Sequence, residues 1–281
     1  GNAYSNGKEF EEVSRAIVLP EHTLDKNRAW SPSALEIFFT CPKRFYLKYI
    51  EGIPDEQPDD PTVVIPPAVL GSMAHNMMES FANSKLSEKD FLTQCEKTFN
   101  EFLKVRPPIQ IDDARKEKDE FLRMMKNAYR QDPHNEVLAA EKEYSFTHPS
   151  GIRLHGYPDR VEKTSDGRYI IADYKTKRTV EHTKNDIETC LQVIIYAWLC
   201  HRANIPVESC EYRYIRKGLV VPCSYDSFTE EQLNQKLCVF KKAMEDNVFP
   251  RNPGKLNKNC KYCTMSDLCV SDEQNAEDME D

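Results

Sequence analysis

The stretch from Gly156 to Lys175 reads GYPDRVEKTSDGRYIIADYK, and its pattern decides the fold class. The runs Ile152–Lys163 and Arg168–Lys175 are rich in Tyr, Ile and Val, and Ser165-Asp166-Gly167 supplies turn chemistry between them. Two strands joined by such a turn make an antiparallel hairpin, which folds Asp159 back toward Asp173. Because alternate residues of a strand share a face, Asp173 and Lys175 project together while Tyr174 points away. Two carboxylates and one ammonium then share a site. Magnesium and manganese take oxygen ligands and retain water, which suits two Asp side chains, a backbone carbonyl and a bound water. A lysine beside such a water can orient it, and the metal neutralises charge on a phosphate. That chemistry fits phosphodiester hydrolysis. Read alone, Asp-x-Lys at a strand end is equally the pattern of a surface ion pair, so its surroundings carry weight.

Working outward, a strand run from Glu141 to Phe146 precedes the hairpin. A helix is expected over Lys184–His201, strands over Glu208–Arg216 and Leu219–Tyr225, and a helix over Thr229–Asn247. Upstream, Ser31 caps and Pro32 opens a helix reaching Tyr49, with Leu35, Phe38 and Phe39 at helical spacing. The proline-rich stretch Ile53–Pro67 reads as a loop or insertion, and helices follow over Val69–Phe81, Glu88–Leu103 and Arg115–Tyr129. Helices, then strands, then a helix with further strands predict an α/β fold with a mixed central sheet flanked by helices. The expected organisation is an N-terminal extension (1–30), a helical part (31–140) carrying Cys41 and His75, a core (141–250), a cysteine segment (251–270) and an acidic tail (271–281).

Other residues can join the hairpin chemistry. His75 sits on a predicted helix and offers an imidazole, which manganese accepts more readily than magnesium; its bland reading is a packed or surface histidine. Glu143, in the strand before the hairpin, is a further site acid or a strand charge facing water. Gln192 and Tyr196 lie four apart on one helix face, where amide and phenol can contact a nucleic acid; spacing alone favours packing of Tyr196 with Ile195 and Trp198. Lys177, Arg178, Arg213, Arg216 and Lys217 suit a nucleic-acid groove or a solvated surface.

The chain holds ten cysteines. Without a secretion signal or an apolar run long enough to span a bilayer, it is expected in the cytoplasm, away from membranes, where thiols stay reduced and clustered cysteines favour metal over disulfides. Cys260-x-x-Cys263 and Cys269 are three thiolates near the C-terminus, and Cys41, beside Pro42, is the candidate fourth. Four thiolates suit an iron–sulfur cluster or zinc, and spacing does not separate them; the cluster is ranked first. Such a site would close a very long loop. Cys95, Cys190, Cys200, Cys210, Cys223 and Cys238 read as buried small apolar residues.

Charged residues at 30% and hydrophobic ones at 40% describe a globular chain and exclude a disordered or membrane-embedded one. The net charge of −8 argues against a phosphate-binding partner, but it is unevenly spread. Ser271–Asp281 holds six acids and no basic residue, so the remainder carries −8 + 6 = −2. The acidic run reads as a solvated, disordered tail.

Taken in order, these segments resemble the RecB-type nucleases of the PD-(D/E)XK superfamily. The resemblance runs from Ser31-x-Ser33-x-Leu35-Glu36, leading to Cys41-Pro42, through Gly71-x-x-x-His75, Glu143 and Gly156-Tyr157-Pro158-Asp159-Arg160. It continues through Asp173-Tyr174-Lys175-Thr176 and Gln192-x-x-x-Tyr196 to the cysteine trio. It implies a restriction-endonuclease-like core, with His75, Asp159, Asp173 and the Tyr174 carbonyl as ligands of Mg2+ or Mn2+. It implies catalytic roles for Asp159, Asp173, Lys175 and Glu143, and contact with DNA for Gln192 and Tyr196. Cys41, Cys260, Cys263 and Cys269 resemble the [4Fe–4S] staple of AddB-type nuclease domains and CRISPR-associated exonucleases. The implied activity is a DNA exonuclease acting on single strands or duplex ends in recombination, repair or defence. The alternative is a non-catalytic DNA-binding or assembly subunit of a repair or CRISPR spacer-acquisition complex. One departure is Pro158, where many members carry a β-branched or aliphatic residue; lacking an N–H, it points to a bulge or an edge strand. With no Gly-x-x-x-x-Gly-Lys-Ser/Thr phosphate loop, any ATP-driven motor would come from a helicase or CRISPR partner protein.

Overall fold

The molecule is described here by a computed structural model covering residues 27–269. The expected acidic tail and all but the last residues of the expected N-terminal extension lie outside them. The chain divides into two compact units. Of the described residues, one is built from 27–58, 145–155 and 231–269; the other from 59–144 and 156–230. No helix among the described residues is long and apolar enough to cross a membrane.

In the first unit, strand β1 (Ala29–Trp30) is followed by helices α1 (Pro32–Thr40) and α2 (Pro42–Phe45) and a π-helical turn over Tyr46–Ile50. The Ser31 hydroxyl accepts from the Ala34 N–H at 3.2 Å and caps α1. The single helix expected over this stretch is broken at Cys41, whose backbone is extended (φ −155°, ψ 104°). The cause is local: the ring of Pro42 disfavours helical geometry in the residue before it. Trp30, Phe38 and Phe45 converge on Phe240, with ring centroids 5.6, 4.9 and 5.4 Å away.

The second unit carries the larger sheet. Helices α3 (Pro67–Phe81), α4 (Glu88–Val105) and α5 (Ile111–Gln131) precede β2 (Glu136–Ala139). Then, in chain order, come β3 (Tyr144–Thr147) and β4 (Arg153–Gly156), which lie almost wholly in the first unit, β5 (Arg160–Lys163), β6 (Tyr169–Lys175), α6 (Ile187–Arg202), β7 (Val207–Tyr214), β8 (Leu219–Ser224) and α7 (Ser227–Asp246), most of which again belongs to the first unit. Five strands form a mixed sheet in the order β2-β5-β6-β7-β8, with β6 and β7 parallel across the α6 crossover and the other pairs antiparallel. Strand β6 is central, and Ile170 to Tyr174 are all buried, as an apolar run covered on both faces requires. The mixed α/β architecture is the one the segment order predicts.

Two strand expectations needed correction. The run Ile152–Lys163 is not one strand: it breaks at Tyr157-Pro158-Asp159, with β4 joining β1 and β3 in a three-stranded sheet and β5 joining the larger one. Proline cannot donate to a ladder, and here the Pro158 carbonyl instead accepts from the Glu141 N–H at 3.0 Å. Strand β2 has little β-propensity and no counterpart in the sequence reading. Asn83, in left-handed geometry (φ 58°), clamps it by giving and taking hydrogen bonds at Val137 (2.7 and 2.9 Å).

One apolar cluster fixes the helices of this unit to the sheet. Phe91, Cys95 and Phe99 recur every fourth residue on α4 and meet Phe121, Met124, Met125 and Ala128 of α5, together with Met73, Ala74 and Met78 of α3 and Tyr174 of β6. Helix α6 is buried nearly all round, as a crossover sunk against a sheet must be. None of the ten cysteines is in a disulfide, and Cys238, expected inside, is exposed on α7.

Candidate active site

The hairpin register aligns Arg160 with Ala172, so Asp159, one residue earlier, comes opposite Asp173 at the ends of β5 and β6. The Tyr174 N–H donates to Asp159 Oδ2 at 2.7 Å, locking that carboxylate across the hairpin. Asp159 and Asp173 are 9% and 2% exposed, so two carboxylates sit side by side away from water. Burial first, then the charge of Asp173, pushes the Asp159 carboxyl well above the ordinary range.

His75 reaches the same place from α3. Met73, Ala74 and Met78 bury the neighbouring face of that helix, leaving His75 Nε2 2.9 Å from the Tyr174 carbonyl oxygen and 3.4 Å from Asp159 Oδ2. Lys175 Nζ lies 2.9 Å from Asp173 Oδ2 and donates to Gln192 Oε1 of α6 at 2.8 Å. Gln192 Nε2 in turn donates to the Tyr196 hydroxyl at 3.2 Å. The sequence-singled residues His75, Asp159, Asp173, Tyr174, Lys175, Gln192 and Tyr196 therefore form one connected chain of contacts at a strand end. Burial, reinforced by Asp173, raises the Tyr196 phenol far enough to keep it neutral.

Glu143 stands apart: it is exposed, precedes β3 instead of lying in it, and pairs with the Tyr157 phenol. The acid that does approach is Glu141, whose carboxylate lies with donor atoms of His75 and Asp159 inside a 4.8 Å group, the only group of three or more candidate metal-ligating side chains among the described residues. Its left-handed backbone (φ 51°) and its N–H contacts to the Pro158 and Asp159 carbonyls hold it against the β5 entrance. Sequence alternation cannot choose between acids two apart in a strand, and Glu141 is outside any strand.

Three further features carry no motif. His182 stacks on Tyr212 at 3.6 Å between ring centroids and hydrogen-bonds the Tyr214 hydroxyl through Nδ1. Burial, then the cationic Lys175, lowers its imidazole to about 4, so it stands neutral beside the lysine. The Lys175 amine also lies 5.4 Å above the Tyr212 ring. Under the site runs a buried ion network. Arg213 donates to both Glu162 oxygens (2.8 and 2.9 Å) and to the Tyr174 hydroxyl (3.2 Å), while Arg160 pairs with Asp132 at 2.7 Å. Arg213 is thereby removed from the basic groove that the sequence suggested; it is 1% exposed and fully engaged.

The donor set fits a hard divalent cation. Imidazole, carboxylates and a backbone carbonyl converge, two buried carboxylates lack equal cationic compensation, and buried Asp173 Oδ2 lacks a partner with hydrogen-bond geometry although Lys175 Nζ is near.

The four cysteines of the proposed cluster all belong to the other unit. Cys41 is buried at the break between α1 and α2, where its sulfur accepts from the Asn252 N–H at 3.5 Å. Burial, then Cys41, raises the Cys269 thiol to about 11, while Lys43 and Arg251 oppose the rise and Cys263 adds to it. The sulfurs of Cys41, Cys263 and Cys269 thus feel one another's charge, without falling together inside 4.8 Å.

Known proteins resemble this chain to differing extents. CRISPR-associated exonuclease Cas4 of Saccharolobus solfataricus is 27% identical over 119 residues, which are 42% of this chain and 52% of that protein. The chain thus spans about half the length of that curated relative. The crystal structure of SSO0001 has a TM-score of 0.48 at 16% identity, covering 89% of each chain. A candidate exonuclease from Eubacterium rectale has a TM-score of 0.48 at 10% identity, covering 90% of this chain and 93% of its own. The family described as the PD-(D/E)XK nuclease superfamily matches residues 29–270, which take in the hairpin acids, the lysine, the α3 histidine and all but the ends of the chain. The chain belongs to the PD-(D/E)XK nuclease superfamily.

Proposed function

We propose that this chain hydrolyses phosphodiester bonds of DNA with the help of a divalent cation, acting as an exonuclease on single strands or duplex ends. The observation that carries the reading is the convergence of His75, Asp159, Asp173 and Lys175 at the ends of β5 and β6, with Tyr174 hydrogen-bonding Asp159 from behind. His75, Glu141, Asp159, Asp173 and the Tyr174 carbonyl would hold Mg2+ or Mn2+. When bound, the cation supplies a water that loses its proton readily and offsets charge on the phosphate.

The protein's own part is positioning. Lys175, held by Gln192 and lying over Tyr212, keeps its ammonium beside Asp173, where it can orient the attacking water. Hydrolysis then forms a bond from water oxygen to phosphorus, breaks the bond to the leaving sugar oxygen, and returns a proton to that oxygen. Neutral His182 and Tyr196 close the lysine side of the site without adding charge. The exonuclease mode rests on the likeness to Cas4, and it extends to the whole protein as part of this proposal.

We also assign Cys41, Cys260, Cys263 and Cys269 to one thiolate site, with a [4Fe–4S] cluster as first occupant and zinc as the other. The buried Cys41 sulfur with its N–H donor, and the cations Lys43 and Arg251 near Cys269, support the assignment; a bound metal would overcome the burial that holds the Cys269 thiol neutral.

The test is cleavage of end-labelled single- and double-stranded DNA with magnesium, manganese or EDTA, comparing the parent chain with Asp173→Ala. Metal-dependent cutting that the variant lacks supports the reading. DNA binding without cutting under every metal condition points to an assembly subunit.

A further inference from the structure

A cavity of about 410 Å³ opens between α5, the segment just past β6 and the β7–β8 turn. One wall is α5, which presents Glu120, Arg123, Met124 and Asn127 at positions i, i+3, i+4 and i+7 and hence along one stripe. The other wall is Arg178, just past β6, with Arg216 and Lys217 at the β7–β8 turn. Lys126 completes the lining. Five cations therefore face one carboxylate, in a chain whose net charge is −8. A surface of that composition does not collect five like charges without cost, since each repels the others across low-dielectric walls.

The cavity is built, not merely lined. Arg216 is the best buried cation in it, its side chain 15% exposed. Its Nε donates to the Thr176 carbonyl at 2.6 Å, and its own carbonyl accepts from Asn127 Nδ2 at 3.2 Å. Glu120 lies 2.6 Å from Arg178 and 3.4 Å from Arg216, spreading those two guanidiniums around itself. Those pairs leave Arg123 and Lys217 exposed, with Lys126 3.8 Å from Glu88 outside the cavity. The guanidinium of Arg216 thus grips the residue immediately after Lys175, one α-carbon step of about 3.8 Å along the strand.

We propose that this cavity binds a phosphate of the nucleic-acid backbone, away from the bond being cut, and holds the strand as it passes the end of β6. The inference deepens the nuclease reading above, since it supplies a second anchor for the same substrate. Arginine forks match phosphate oxygens in two-pronged geometry, and the lysines add unoriented charge. The grip is on the backbone, so it holds strands without regard to base sequence.

The experiment is equilibrium binding of a fluorescent single-stranded oligonucleotide over a series of salt concentrations in EDTA, together with cleavage in metal. The variants are R123Q/K217Q in the cavity and K85Q/K89Q, exposed elsewhere in the same unit, with the same change of charge. If the cavity holds a phosphate, R123Q/K217Q weakens binding about tenfold or more at low salt. It also flattens the slope of log affinity against log salt by about 0.7 for each phosphate the variant no longer neutralises, while K85Q/K89Q leaves both near the parent. Equal behaviour of the two variants overturns the proposal while leaving cleavage by the parent chain, and with it the nuclease reading, untouched. Cavity-dependent binding by a parent chain that never cuts leaves the cavity standing and removes the nuclease reading. A parent chain that neither binds nor cuts removes both. Inorganic phosphate, titrated by calorimetry at matched ionic strength, separates the remaining source. Tight binding of the free anion that R123Q/K217Q abolishes, with strand affinity unchanged, makes this a free-anion site and overturns the strand role.

Discussion

The main-chain N–H of Tyr174 donates to the Oδ2 of Asp159 at 2.7 Å, and the Tyr174 carbonyl oxygen lies 2.9 Å from His75 Nε2. One residue's backbone thereby ties the helix carrying the histidine to the hairpin carrying the acids. The site geometry depends on backbone atoms that no side-chain substitution removes, so single changes in its acids should alter chemistry more than fold.

Asp159→Asn keeps an oxygen for the Tyr174 N–H and removes a charge. It is expected to lower cleavage by roughly 10²–10⁴-fold while leaving the circular dichroism spectrum unchanged. Lys175→Ala should do the same, and Gln192→Ala, which frees the lysine without removing it, should lose less. Wild-type cutting by Lys175→Ala would falsify the proposed role.

Glu141 and Glu143 make an internal comparison. Glu141→Gln should weaken manganese binding by about 10–100-fold, in the range typical of groups that support a metal site. Glu143→Gln, on an exposed residue paired with Tyr157, should bind manganese as the parent does. Calorimetric titration of the two variants reads this directly, and the reverse order would return Glu143 to the site.

Two groups set opposing dependences of stability on pH. His182 has a folded value near 4, below its ordinary 6.5, so the stability it gives is present above 6.5 and is lost as pH falls from there toward 4. Asp159 is raised, so its contribution is full at low pH and is lost as pH rises through its folded value. A melting series in EDTA should therefore show His182→Phe less acid-sensitive than the parent. Magnesium or manganese should raise the melting temperature more at pH 8 than at pH 5, where Asp159 holds its proton longest. An equal metal effect at both values would count against Asp159 as a ligand.

The buried ion network is predicted to matter for stability. Glu162→Ala leaves Arg213 buried with only part-exposed Glu211 as a carboxylate partner, and should cost about 3–5 kcal/mol in urea unfolding. A loss under about 1 kcal/mol would mean that water reaches the guanidinium in the variant.

In the cysteine unit, Cys263→Ser in protein prepared without air should lose bound iron, or zinc, by elemental analysis, and with it thermal stability. Cys238→Ser, on the exposed side of α7, should lose neither. Iron and zinc both absent from the parent chain would remove the thiolate assignment.

Sequence by itself determined the β5–β6 hairpin, the succession of helices and strands apart from β2 and the breaks at Cys41 and Pro158, and the acid that stands beside Lys175. Period-2 alternation and turn chemistry are local, and Asp173-x-Lys175 needs only a strand to put both side chains on one face. Tertiary structure alone decided the rest. Whether Glu141 or Glu143 reaches His75 depends on a left-handed residue and on where the Pro158 carbonyl points, and neither follows from propensity. Strand β2 is decided by its pairing with β5 and by Asn83, more than fifty residues away in sequence, which hydrogen-bonds both backbone groups of Val137. Arg213 and Arg216 are both arginines near the end of one strand, yet the first is sealed in an ion pair and the second lines an open basic cavity. What separates them is the pleat, which sends Arg213 under the sheet at the register of Tyr174, and the turn, which releases Arg216 beyond it.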